Sequence, residues 1–178
     1  MTRSVGPQTD LAGRNTAGVV TFEETVMNTT TYDPLTCDAA ALNALLRGEM
    51  AAVEAYTQSL GLFCDDEMIA GLQKIRDEHS RAVRLIRDRV VQLGGVPAEK
   101  SGARSVFGAE ASVTKVYGPT TALAALRLGE EHITSEYESA LTDADIGPDC
   151  HPMIQTELLA PTQKHIDELN RLLGGLNR

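Results

Sequence analysis

The chain has 178 residues, ample for a domain with its own core, with no Trp, 4% aromatic residues and a formal net charge of −9. That acidity argues against nucleic acid or an anionic membrane surface as a partner, since both are bound through Lys and Arg. No apolar run approaches the roughly 20 residues of a membrane span. The N-terminus lacks the basic-then-apolar pattern of a secretory signal. Cys37, Cys64 and Cys150 are odd in number, widely spaced and without a C-x-x-C pair, so neither a disulfide framework nor a thiolate zinc site is expected. A cytoplasmic protein with free thiols is the simplest expectation.

Residues 1–33, rich in Thr, Gly and Asn and without apolar periodicity, read as a flexible tail, with Met27 as an alternative start. Residues 34–178 read as a helical domain. The first helix is expected over 37–61, capped by Thr36 or Asp38 and ended by Gly61. Its stripe is Leu42, Leu45, Leu46, Glu49, Val53, Tyr56 and Leu60. The second starts at Asp65 or Asp66 and ends at Gly94-Gly95, with Pro97 preventing continuation. Its stripe is Met68, Ile69, Leu72, Ile75, His79, Ala82, Val83, Ile86, Val90 and Leu93. The connection over 95–118 is long for a structureless loop, and Val106, Phe107, Val113, Val116 and Tyr117 suggest a short helix within it. Pro119 suits the first turn of a third helix, whose stripe is Leu123, Leu126, Glu130, Ile133, Tyr137 and Leu141. Gly147-Pro148 breaks the chain. The last helix carries Ile154, Leu158, Thr162, His165, Leu169, Leu172 and Leu173 and is expected to stop at Gly174-Gly175, with a kink or break at Pro161.

The halves repeat. Gly48-Glu49 followed by Tyr56 recurs as Gly129-Glu130 followed by Tyr137, and each copy precedes a helix with one inward-facing His, His79 and then His165. A Glu in an apolar stripe is costly unless compensated. Glu49, Glu130, His79 and His165 could converge at one level of a four-helix core, a donor set that suits iron, manganese or zinc. Tyr56 and Tyr137 lie about 10 Å along their own helices from those Glu. They are too far to be ligands there, but able to hydrogen-bond a carboxylate on an adjacent antiparallel helix. Arg76, one turn before His79, could reach Glu49 or Glu130. By helical phase Glu54, Asp77, Glu78, Glu131, Glu136 and Glu138 mostly point to flanks or solvent. His132 and His151 read as surface. No G-x-S-x-G, P-loop or H-E-x-x-H is present.

The Glu-x6-Tyr helix, the helical-hairpin repeat and the long crossover resemble the ferritin-like superfamily over about residues 37–176. Within it, the chain is similar to a bacterial domain-of-unknown-function branch. That branch likewise carries Gly-Glu in helices one and three, a Leu-Gly-Gly-x-Pro ending to helix two (here Leu93-Gly94-Gly95-Val96-Pro97) and a short helix in the crossover. The resemblance implies an all-α fold: a ferritin-like four-helix bundle of two helical hairpins with a short helix in the crossover. Di-iron members carry Glu on helices one and three and Glu-x-x-His on helices two and four. Glu49, Glu130, His79 and His165 match the lone Glu and the His positions, whereas Arg76 and Thr162 stand where the bridging carboxylates would be.

The expected function is a metal-binding ferritin-like protein, stress-related, with redox chemistry at a reduced Glu/His site. Its ligands are Glu49, His79, Glu130 and His165, with Tyr56, Tyr137 and Arg76 in support. The alternative is a metal-free bundle in which the same Glu/His/Arg/Tyr network fixes helix register and the protein acts by association, through a face including Met50, Leu62, Phe63 and Phe107. A homo-oligomer is the expected partner state, and an iron-storage cage is the weaker option.

Overall fold

The computed structural model describes residues 38–102 and 118–176. The expected tail, the Thr36 cap, Cys37, Phe107 and the short crossover helix lie outside the described residues. Four long helices account for most of the rest. α1 is Ala39–Ser59, capped by Asp38, whose carboxylate accepts the Ala40 N–H at 2.7 Å. It passes at Leu60–Leu62 into a 3₁₀ turn holding Gly61. α2 is Asp66–Gln92, capped by Asp65, which accepts the Met68 N–H at 2.8 Å. α3 is Pro119–Ala140, with Pro at its first position. α4 is Ala160–Leu176, continuous with a short α-turn, His151–Met153, and a π-helical turn, Ile154–Leu159.

Contacts at the helix ends set the directions. Asn43 near the start of α1 donates to the Val96 carbonyl at 2.9 Å and accepts the Ala98 N–H at 2.7 Å, just past the end of α2. The Asp38 N–H reaches the Asp145 carbonyl beyond the end of α3 at 2.8 Å. Arg89, late in α2, pairs with Asp149 ahead of the last helix. At the opposite end Glu67 pairs with Arg171 at 2.9 Å. α1 is therefore antiparallel to α2 and to α3, and α4 is antiparallel to α2 and α3. The result is two hairpins, α1 on α2 and α3 on α4. Since α2 and α3 run parallel, the connection between them starts and finishes at opposite ends of the bundle.

The apolar stripes meet in the middle. Leu42, Leu46, Ala52, Leu72, Ile86, Val90, Leu123, Ile154 and Leu169 are wholly excluded from solvent. At about 1.5–3 kcal/mol for each fully buried large aliphatic side chain, this core is the main source of stability. Phe63, expected on an association face, belongs to that core with 7% exposure, and Met50 and Leu62 pack against it.

Pro161 does not break the last helix. The preceding turn widens, so that the Ala160 N–H bonds the Gln155 carbonyl five residues back. The wide turn accommodates a residue that lacks an N–H and would otherwise crowd the carbonyl four positions earlier. Nor does Gly174-Gly175 end the helix, which continues to Leu176. A helical glycine costs only about 1 kcal/mol, and neither of these has positive φ. His151 is half-buried as the first residue of the helix, with Nε2 3.1 Å from the Ile146 carbonyl.

Gly94-Gly95, by contrast, does end α2, and the two residues do different work. Gly94 adopts φ 75° and donates to the Val91 carbonyl, while the Gly95 N–H reaches the Val90 carbonyl, each at 2.9 Å. This is the Schellman arrangement. A Cβ on Gly95 would lie 2.5 Å from the Ala39 Cβ, 3.1 Å from Val90 Cγ1 and 3.2 Å from the Val90 carbonyl, so the end of α2 closes on the start of α1 only with glycine there. Gly95→Ala is expected to destabilise the fold by about 1–3 kcal/mol, read as a lowered urea midpoint with an unchanged slope.

Candidate metal centre

Each helix delivers part of one buried polar cluster. α1 supplies Glu49 and Tyr56, α2 supplies His79, α3 supplies Glu130 and Tyr137, and α4 supplies His165. None of the six is more than 4% exposed.

The antiparallel run of α1 and α3 arranges the pairs. On each helix the Tyr follows the Glu by two turns on the same face, and reversing one helix brings each Tyr level with the other helix's Glu. Tyr56 Oη donates to Glu130 Oε1 at 2.6 Å, and Tyr137 Oη donates to Glu49 Oε1. His79 lies between the carboxylates, with Nδ1 2.8 Å from Glu49 Oε2 and Nε2 2.8 Å from Glu130 Oε1. Its ring also lies against Tyr56, centroids 5.4 Å apart, and against His165 at 4.9 Å.

His165 does not complete the symmetry. Its Nδ1 is 3.3 Å from Glu130 Oε2, but its Nε2 is 2.8 Å from Glu78 Oε2 rather than near Glu49. Glu78, placed toward flank or solvent by helical phase, thus belongs to the cluster with its side chain 25% exposed. A long side chain one position off the stripe can reach inward past the helix edge. The only sequence hint was its adjacency to His79. Arg76 goes the other way. Its guanidinium turns out to Asp77, at 2.7 and 3.0 Å, and hydrogen-bonds neither core Glu. An Arg that can pair with a neighbouring carboxylate in solvent avoids the cost of burying its charge. Thr162 bonds the Leu158 carbonyl at 2.9 Å. His132 is on the surface, 3.3 Å from Glu136.

Burial alone would pull the His79 imidazole down, but the charges and hydrogen bonds of Glu130 and Glu49 outweigh it and hold it well above its ordinary value of 6.5. His79 is therefore an imidazolium donating from both nitrogens. Burial would raise the Glu130 carboxyl, yet His79 and His165 bring it down to about 2. Burial, reinforced by the facing carboxylates, raises both tyrosine hydroxyls well above 10.0, so they remain donors. Among the described residues Thr134 Oγ1 is the one buried side-chain polar atom without a partner, so the buried carboxylate oxygens and ring nitrogens of Glu49, Glu130, His79 and His165 are satisfied within the protein.

No family model and no curated protein matches the chain. Among solved structures, a ferritin-like, diiron-carboxylate protein from Bacillus anthracis str. Ames is similar. It aligns over 76% of this chain and 94% of its own at 18% identity with a TM-score of 0.59. That likeness shows the fold: this is an all-α, ferritin-like four-helix bundle.

The donors can be tested against the metal such a fold is able to hold. A di-iron bundle site takes two lone Glu and two Glu-x-x-His pairs. Here the positions three before each His hold Arg76, turned to Asp77, and Thr162, bonded to its own helix. The residues do not fit two ions. His79, Glu130 and His165, however, present ligand atoms that all lie within 4.8 Å of one another. Bonds of about 2 Å around one ion hold its ligand atoms no more than about 4 Å apart, so slight side-chain movement would let one ion touch all three. Two imidazoles and a carboxylate suit zinc or ferrous iron. The set is compatible with a single metal ion.

Two outcomes follow for the metal-free chain. Glu130, lowered to about 2 from 4.5, contributes stability that is full above about 4.5 and lost as pH falls toward 2. His79, raised above 6.5, contributes stability that is full below that value and lost as pH rises through its folded pKa. Stability in chelator should fall on both sides of a plateau in urea titrations across pH, and His79→Gln should lack the alkaline fall. Tyr56→Phe and Tyr137→Phe should each cost about 1–3 kcal/mol in the same assay, since each strips a donor from a buried carboxylate.

Proposed function

We propose that this chain binds one divalent transition-metal ion (iron, manganese or zinc) within its bundle, through His79, Glu130 and His165 with Glu49 adjacent. The observation that carries the reading is the convergence of those three donors, each less than 5% exposed, inside a ferritin-like fold. Tyr56 and Tyr137 would hold the carboxylates in place through the hydrogen bonds described above. Loaded with iron or manganese the centre would carry redox chemistry, suited to stress protection; loaded with zinc it would be structural. The thiols of Cys64 and Cys150 are free, which suits a reducing cytoplasm. Self-association remains part of this reading.

Metal competes with protons here, because His79 donates from both nitrogens and must release a proton to become a ligand. Elemental analysis of chain loaded with iron, manganese or zinc should find one ion per chain, and a Glu49→Ala, Glu130→Ala double variant should find none. Affinity should rise with pH. Metal should raise the melting temperature of the wild type but not of the double variant.

A second reading has its own support: the complete hydrogen bonding of the cluster and the imidazolium between two carboxylates. In that reading the network only fixes helix register and the bundle acts by association. No metal under any loading condition, with an unchanged melting temperature, would decide for it.

A further inference from the structure

Two cavities meet above the cluster. The outer one, of about 680 Å³, is an open groove between α2 and α4. The inner one, of about 80 Å³, reaches Glu49 and His79. Glu78, Arg81, Pro161 and His165 line both and so form the neck between the groove and the cluster, while the exposed Glu157 also lines the inner cavity. Charge changes across that neck. The groove mixes four Lys or Arg side chains with three Asp or Glu. The inner cavity is lined by Glu49, Glu78 and Glu157 with Arg81 as its one Lys or Arg. A cation that passes the neck gains, whereas an anion loses.

Glu78 occupies the decisive place in this path. Its side chain is 25% exposed, whereas those of Glu49, His79, Glu130 and His165 are at most 5% exposed. It is the one carboxylate at the neck, and its Oε2 holds His165 Nε2 at 2.8 Å. An ion arriving from the groove meets this carboxylate before any other cluster oxygen. The residue preceding the corresponding His of the second repeat is Lys164, in the outer groove and not in the inner cavity.

We propose that the α2–α4 groove is the route by which a divalent metal ion reaches the bundle centre, and that Glu78 is its transit ligand, taking the ion at the neck and passing it to His165 and Glu130. This rests on the metal-binding reading above. While no ion is in transit, Glu78 Oε2 lies 2.8 Å from His165 Nε2 and Glu130 Oε2 lies 3.3 Å from its Nδ1.

The test is stopped-flow uptake of cobalt(II), an optical probe for divalent sites, by the metal-free full chain, with affinity measured separately by chelator competition. Glu78→Gln keeps the size and a hydrogen-bond acceptor but removes the charge. Its association should slow roughly tenfold or more, the scale of electrostatic focusing in a cleft. Dissociation should slow with it, leaving affinity changed by less than the roughly tenfold typical of losing a carboxylate that orients a ligating His. Glu78→Asp, which keeps the charge at the neck, should associate at nearly the wild-type rate, as should Asp77→Asn off the path. An unchanged association rate in Glu78→Gln, or a loss confined to faster dissociation, would reduce Glu78 to orienting His165 and overturn the proposal alone. A wild-type chain that takes up no cobalt overturns both this proposal and the metal reading.

Discussion

One imidazole holds the centre of this bundle together. His79 is shared between Glu49 and Glu130, both at most 1% exposed. Removing two carboxylates from water costs several kcal/mol apiece unless charge and hydrogen bonds compensate. A protonated His79 supplies a positive charge and a donor to each, the two tyrosines add one hydrogen bond apiece, and His165 meets the second oxygen of Glu130. Because these groups come from all four helices, the compensation is complete only when those helices sit at one register. Sliding any of them by a turn would strand a buried charge, which gives the bundle a specificity that interchangeable aliphatic contacts do not provide.

The duplicated sequence accounts for most of this arrangement, and its imperfections account for the rest. Glu49 with Tyr56 and Glu130 with Tyr137 exchange partners across antiparallel α1 and α3, so one motif used twice satisfies both carboxylates. The second hairpin then departs from the first. Pro161 and its widened π-turn, Thr162 and Lys164 stand where the first hairpin has a regular helix, Arg76 and Glu78. His165 accordingly turns one nitrogen to Glu130 and the other to Glu78. The departure coincides with the opening of the core to solvent, since Pro161, His165 and Glu78 all line the neck above the cluster.

The same substitutions bound the chemistry. A ferritin-like bundle holds two irons only when helices two and four contribute bridging carboxylates, and here an outward-turned Arg and a Thr bonded to its own helix occupy those places. What remains is a compact two-imidazole, one-carboxylate set with a second carboxylate beside it and a third at the rim. Such a centre is compatible with one ion, and any ion bound through His79 would have to displace its proton.

The sequence by itself determined the four helices, their hairpin pairing and which six polar side chains face inward. Periodicity of 3.6 residues, cap residues such as Asp38 and Asp65, and the Gly94-Gly95 stop are local properties, and a Glu or His inside an apolar stripe is buried whenever the stripe is. Where the side chains off those stripes went was not legible. Whether Arg76 turns to the core or to Asp77, and whether Glu78 reaches His165, depends on which acceptor a neighbouring helix places within 3 Å, a distance between segments far apart in the chain. The Pro161 turn belongs to the same class. Proline signals that the helix is disturbed there, but only the fold shows that the turn widens rather than breaks and keeps Ile154 and Leu158 buried. Tertiary structure alone decided the asymmetry of the site and its opening along α2 and α4, because both arise from distances between helices rather than from the order of residues within one.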